Sequence, residues 1–126
     1  SQADIIKATL DSLSYQTLDL IKSMEKDAKI KISEIRVDGG MINNNNFLQS
    51  LANITQIKII RPKNIETTSL GAAFLAGLQA GVLSNTNDIK KLWKKNSAIT
   101  PKIKKTQAKL NIKKWKSIIN TVNNYY

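Results

Sequence analysis

The chain has 126 residues, 41% of them hydrophobic, which is one domain or part of one with enough apolar material for a packed interior. It contains neither cysteine nor histidine, which excludes disulfides, thiolate or imidazole metal clusters and a histidine-based catalytic triad. No apolar run approaches the roughly 18 residues that cross a bilayer, and residues 1–10 lack the pattern of a signal peptide. A soluble cytoplasmic protein is the expectation.

The formal charge of +11 is unevenly placed. Residues 1–63 carry nine Lys/Arg against seven Asp/Glu, whereas residues 64–126 carry eleven Lys against two acids. Those lysines fall within residues 90–116, with no arginine among them. Sequence-reading nucleic-acid modules combine lysines with arginine forks or stacking aromatics. The favoured reading is therefore a solvated lysine face; a nucleic-acid or anionic-membrane surface is the alternative.

In chain order, residues 3–27 predict one long helix with Ile6, Leu10, Leu13, Leu20 and Met24 near one face and Ile5 and Ile21 widening it. Residues 30–37 alternate apolar and polar imperfectly and predict a strand that stops at Asp38-Gly39-Gly40. A short helix follows over 45–54, with Phe47, Leu48, Leu51 and Ile54 inward. Residues 57–60 predict a second strand, ended by Arg61-Pro62 because proline cannot continue a ladder. Residues 68–82 predict a helix with one row of Ala72, Ala76 and Ala80 and another of Ala73, Gly77 and Gly81. Each interior glycine costs about 1 kcal/mol relative to alanine, so close packing against a neighbouring backbone is expected to offset them. A basic helix over 87–95, a loop over 96–105 and a helix over 110–122 with Trp115, Ile118, Ile119 and Val122 inward complete the chain. The order is helix, strand, helix, strand and then helices: an α/β arrangement with a βαβ unit. Two strands are too few for a self-sufficient sheet, and they leave open edges.

The segment that carries chemistry is Arg36-Val37-Asp38-Gly39-Gly40-Met41-Ile42-Asn43-Asn44-Asn45-Asn46-Phe47. Glycines at a strand end allow a sharp turn and let a ligand reach main-chain N–H groups without meeting a Cβ. The helix beyond offers unpaired N–H groups and the positive end of its dipole, which suit phosphate. The asparagines either cap that helix or face a ligand. On its own the pattern reads first as a plain strand–turn–helix connection, and the asparagine run as N-cap chemistry.

Several segments in register narrow the choice. SQADIIKATLDSLSYQT at 1–17, RVDGGM at 36–41, RP at 61–62, IETTSLGAAFLAGL at 65–78 and WK at 115–116 stand in the order and spacing of the last third of glycerol kinases. The chain thus resembles the FGGY carbohydrate-kinase family along essentially its whole length. That resemblance implies a partial ribonuclease-H-like domain of the actin and hexokinase type, with residues 1–126 the C-terminal portion of the nucleotide-binding domain. It implies ATP, with Mg²⁺, as the phosphoryl donor and glycerol as acceptor. It places Gly39 and Gly40 beside the nucleotide and Asn44 on its adenine or ribose side. Asp38 either meets Mg²⁺ through water or fixes the Gly39-Gly40 turn. Glu66, Thr67 and Thr68 cap the small-residue helix, or Glu66 faces the cleft.

The same resemblance puts the glycerol contacts, the catalytic carboxylate and the other phosphate loops outside this chain, in an N-terminal domain and earlier in the C-terminal one. The isolated chain is therefore expected to be inactive, and its open strand edges to promote self-association. Xylulose- and gluconate-type kinases share the diglycine turn and the small-residue helix, although RVDGGM and IETT favour glycerol. Two residues depart from the family pattern. Leu18 stands where arginine is common, and Gln56 replaces a glycine before the second strand.

Overall fold

The computed structural model describes residues 1–64 and 66–125. Ile65, within the IETT segment, lies outside the described residues.

Helix α1, Gln2–Ala28, opens with a capping box in which Ser1 and Asp4 satisfy each other's backbone N–H. It ends at Lys29, whose φ of 54° is left-handed. The Glu25 carboxylate then accepts from Lys31 Nζ at 2.7 Å and from the Ile32 N–H at 2.9 Å. With the Ile32 donor tied to the helix, residues 30–33 do not enter a ladder. Strand β1 is therefore only Glu34–Arg36, shorter than the expected 30–37.

Helix α2, Asn45–Thr55, carries Leu48, Leu51 and Ala52 into the core beside Ile42 and Ile59. Ile35, Val37, Phe47 and Ile99 pack around that cluster. Strand β2, Lys58–Pro62, is buried at Ile59, Ile60 and Pro62. It does not end before Arg61-Pro62 as expected. The register slips between Arg61 and Pro62, whose partners are Ser97 and Lys95, and an irregular ladder tolerates the missing N–H.

A third strand was not expected. Strand β3, Lys95–Ile99, occupies the first half of the anticipated loop. Its Lys-Asn-Ser-Ala-Ile sequence has no apolar alternation, and lysine is common on edge strands because it discourages further pairing. The sheet order is β1-β2-β3, with β1 and β2 parallel and β2 and β3 antiparallel. Of the two open edges expected, β2's is covered; among the described residues β1's outer edge remains unpaired.

Helix α3, Thr67–Gln79, buries none of its residues. Along the expected rows the close approach is at Gly77, where an added Cβ would lie 3.2 Å from Leu83 Cδ1; the neighbour is a side chain just beyond the helix, not the expected backbone. Gly81, with φ +71°, ends the helix instead of extending its row. Helix α4, Thr86–Leu92, stops short of 95 because Lys94 and Lys95 turn into the sheet. Helix α5, Lys105–Asn123, starts five residues earlier than expected. It turns Ala108, Ile112, Trp115 and Ile119 inward, while Ile118 and Val122 are exposed, contrary to the expected face. Trp115 stacks on Tyr15 of α1 with centroids 4.9 Å apart. All eleven lysines of residues 90–116 are exposed.

The inward row of α1 differs from the expected stripe except at Ile21, which was expected on its margin and is buried. Ser14, Leu18 and Ile21 are buried, whereas Ile6, Leu13, Leu20 and Met24 are 57, 39, 61 and 52% exposed. The two rows lie roughly a quarter turn apart. Periodicity finds apolar positions; packing against α2 selects the row that includes the small Ser14. Leu18, the departure from arginine, lies in that buried row. Gln56 adopts the left-handed conformation a glycine would take, φ 57°, and its side-chain amide donates to the Asn53 carbonyl at 2.7 Å. The tight turn is kept despite the substitution.

Candidate functional site

Parallel pairing brings the C-terminal ends of β1 and β2 to one edge of the sheet, the place where open α/β sheets bind ligands. The Val37 N–H donates to the Ile60 carbonyl at 3.1 Å, holding the chain against β2 to the last residue before the turn. Asp38 follows, and then Gly39 at φ 81° and ψ 176°, a region open essentially only to glycine.

Gly40 begins a 3₁₀ turn, Gly40–Asn43, closed by Ile42 N–H donating to Gly39 O at 3.2 Å. Ile42, 1% exposed, anchors the turn in the core. Asn44 is the N-cap of α2: its Oδ1 accepts from the Phe47 N–H at 3.0 Å. That leaves the Nδ2 donors without a partner among the described residues. Asp38, Gly39, Gly40 and Asn44 are all exposed on this one turn, so the structure brings the four expected residues together.

The two glycines differ. Gly39 is required by its backbone conformation, whereas Gly40 has no positive φ, and a Cβ there would meet nothing within 4 Å. The fold of these residues gives no reason for glycine at position 40. Open space above a main-chain N–H is what an approaching ligand needs.

Three residues outside the 36–47 segment, Thr67, Arg61 and Trp93, contact it. The Thr67 hydroxyl, at the start of α3, donates to the Asp38 carboxylate. Arg61 of β2 donates to the Asn45 side chain. The Arg36 guanidinium lies 4.3 Å from the centroid of Trp93. The expected capping by Glu66, Thr67 and Thr68 is not found: α3 has no side-chain cap bond at Glu66, and Thr67 reaches across to Asp38 instead. Beside the turn, Pro62, Asn64, Thr67, Leu70, Phe74 and Trp93 line a cavity of about 520 Å³. The one signal for it in the sequence was Trp93 within an otherwise basic segment.

Among the described residues no three Asp, Glu, His or Cys side chains come together as a metal-binding group. Asp38 is the single carboxylate on the turn. No helix among the described residues is long and apolar enough to cross a membrane.

A three-stranded α/β sheet whose first strand runs through a diglycine turn into a helix is an arrangement that suits an anionic ligand at the strand ends. The chain belongs to the FGGY family of carbohydrate kinases, whose C-terminal domain matches residues 1–80. It is 43% identical over 115 residues to the glycerol kinase of Gluconobacter oxydans, covering 91% of this chain and 22% of that protein. The chain thus spans less than a quarter of the length of that relative. Its fold is similar to Plasmodium falciparum glycerol kinase with ADP, with a TM-score of 0.83 and 29% identity over 93% of this chain and 24% of the other. It is also similar to a ligand-bound xylulose kinase from Lactobacillus acidophilus, with a TM-score of 0.77 at 18% identity over 99% of this chain and 25% of the other, a likeness of fold alone.

Proposed function

We propose that residues 1–126 all belong to the C-terminal, nucleotide-binding domain of an ATP-dependent glycerol kinase, which converts ATP and glycerol to ADP and glycerol 3-phosphate. In this reading the nucleoside end of ATP lies against the Gly39-Gly40 turn. Gly40 offers its main chain, Asn44 its Nδ2 donors, and Asp38 holds the turn through Thr67. Mg²⁺, when bound with ATP, neutralises charge on the phosphates. With a lone carboxylate on the turn and no metal-binding group among the described residues, Asp38 is assigned to the turn.

The acceptor hydroxyl, its base and an N-terminal domain closing over the cleft belong to the rest of the protein, and a cytoplasmic location goes with this chemistry. Glycerol is preferred over xylulose or gluconate because relatives above 40% identity are named glycerol kinases, whereas the xylulose kinase shares the fold alone. The apolar row Ile6, Leu13, Leu20 and Met24 and the open edge of β1 are the surfaces on which the rest of the domain, or a second copy of the isolated chain, would pack.

The observation that carries the proposal is the unfilled space over Gly40. Gly40→Val in the full-length protein is therefore expected to fold normally and to raise KM for ATP at least tenfold, or abolish turnover. A folded variant with unchanged ATP dependence would refute the assignment.

A further inference from the structure

Helix α3 is almost detached from the rest of the described chain. It buries no residue, and its N-terminus has no side-chain cap. Yet its first residue makes a hydrogen bond across 29 positions of sequence, from the Thr67 hydroxyl to the Asp38 carboxylate. At the far end of the same excursion, Trp93 lies under Arg36, two residues before Asp38, and the Lys63 N–H donates to the Lys94 carbonyl at 2.8 Å. The segment from α3 to α4 therefore clasps the exit of β1 at both ends.

Asp38 is followed directly by Gly39, whose backbone lies where only glycine settles readily. Such a turn holds one shape only if its flanks are held. On the far side Ile42 is buried in the core. On the near side the side-chain tether of Asp38 among the described residues is Thr67.

We infer that Thr67 is a positioning residue for the nucleotide: its hydroxyl, by donating to Asp38, holds the Gly39-Gly40 turn in the shape that receives the ligand. The inference rests on the nucleotide reading above. Thr67 touches no reacting atom in this scheme, so its removal weakens nucleotide binding without changing the chemistry that follows.

The test uses the full-length protein with Thr67→Val, Thr67→Ser, Asp38→Ala and the Thr67→Val/Asp38→Ala pair, each checked for folding by thermal denaturation. Thr67→Ala takes the place of the valine variant should that one not fold. Thr67→Val is expected to raise KM for ATP roughly fivefold, the worth of one hydrogen bond of about 1 kcal/mol. KM for glycerol and kcat should hold, and Thr67→Ser should restore the native value. The double variant should be no worse than Asp38→Ala alone, since both break the same contact.

Equal losses in the serine and valine variants, additive losses in the double variant, or a parallel rise in both KM values would each overturn the inference. An unchanged KM for ATP in Thr67→Val, beside a raised one in Gly40→Val, would overturn it and leave the nucleotide reading standing. Unchanged values in both variants would remove the nucleotide reading as well.

Discussion

In the proposed reading the two ends of the Asn44 side chain have separate work, and substitution can part them. Oδ1 accepts from the Phe47 N–H at 3.0 Å, closing the first turn of an eleven-residue helix that carries Leu48, Leu51 and Ala52 into the core. Asn44→Ala removes this cap and is expected to cost about 1 kcal/mol, a fall of roughly 4 °C in Tm for a chain of this size. Asn44→Asp keeps an acceptor in the same place, and its charge suits the positive end of the helix dipole, so Tm should hold or rise slightly. The Nδ2 donors, however, are lost in both variants, and the aspartate adds a negative charge beside an anionic ligand. Nucleotide affinity should fall about fivefold in Asn44→Ala, the loss of one hydrogen bond, and at least as far in Asn44→Asp. Thermal denaturation by circular dichroism reads the first quantity, and calorimetric titration of the full-length protein with ADP the second. If Asn44→Asp binds ADP as tightly as the native protein, Asn44 is a cap and nothing more. If Asn44→Ala melts with the native protein, the cap argument itself is wrong.

Further outcomes follow from the same structure. Gly39→Ala, at a backbone conformation unsuited to any side chain, should destabilise by about 1–3 kcal/mol, whereas Gly40→Ala should melt within about 2 °C of the native chain; the reverse order would refute the distinction drawn between the two glycines. Ser14 is fully buried with its Oγ unpartnered among the described residues, so Ser14→Ala should stabilise by about 1 kcal/mol, through helix propensity and relief of a buried polar group; a lower denaturation midpoint would show that the hydroxyl has a partner. Lys31, and then the Ile32 N–H, hold the Glu25 carboxyl below the ordinary carboxylate range, and Lys58, with a smaller contribution from Arg36, does the same for Glu34. Both groups bind protons less readily folded than unfolded, so their stabilisation is present above the usual carboxylate pKa of about 4.3 and is lost as pH falls through the lowered values. Urea midpoints should drop over that interval, less steeply in Glu34→Gln; a flat profile would contradict the assignment.

Local chemistry made much of this protein legible before folding was considered. The diglycine after an apolar strand, the asparagine at the next helix start and the apolar face of residues 45–54 act over a few residues, and the structure has each of them where expected. The candidate site residues Asp38, Gly39, Gly40 and Asn44 were legible for the same reason: they lie within one short turn, so chain order alone brings them near one another, although distant contacts hold its flanks. What sequence could not supply were choices made between elements. α1 has two rows that could turn inward, and the surface of α2 decided for Ser14 and Leu18, beside Ile21 on the margin of the expected stripe, over the more hydrophobic row. β3 has no strand pattern of its own; it is a strand because the edge of β2 offers unpaired N–H and carbonyl groups. Thr67 read as a helix cap because its nearest sequence neighbours are helical, and only the parallel pairing of β1 and β2, which brings the residues after β2 beside those after β1, gave its hydroxyl the carboxylate of Asp38 instead. Backbone conformation and capping are settled within a few residues, whereas burial and long-range hydrogen bonds depend on which surfaces meet, and that is decided only when the chain packs.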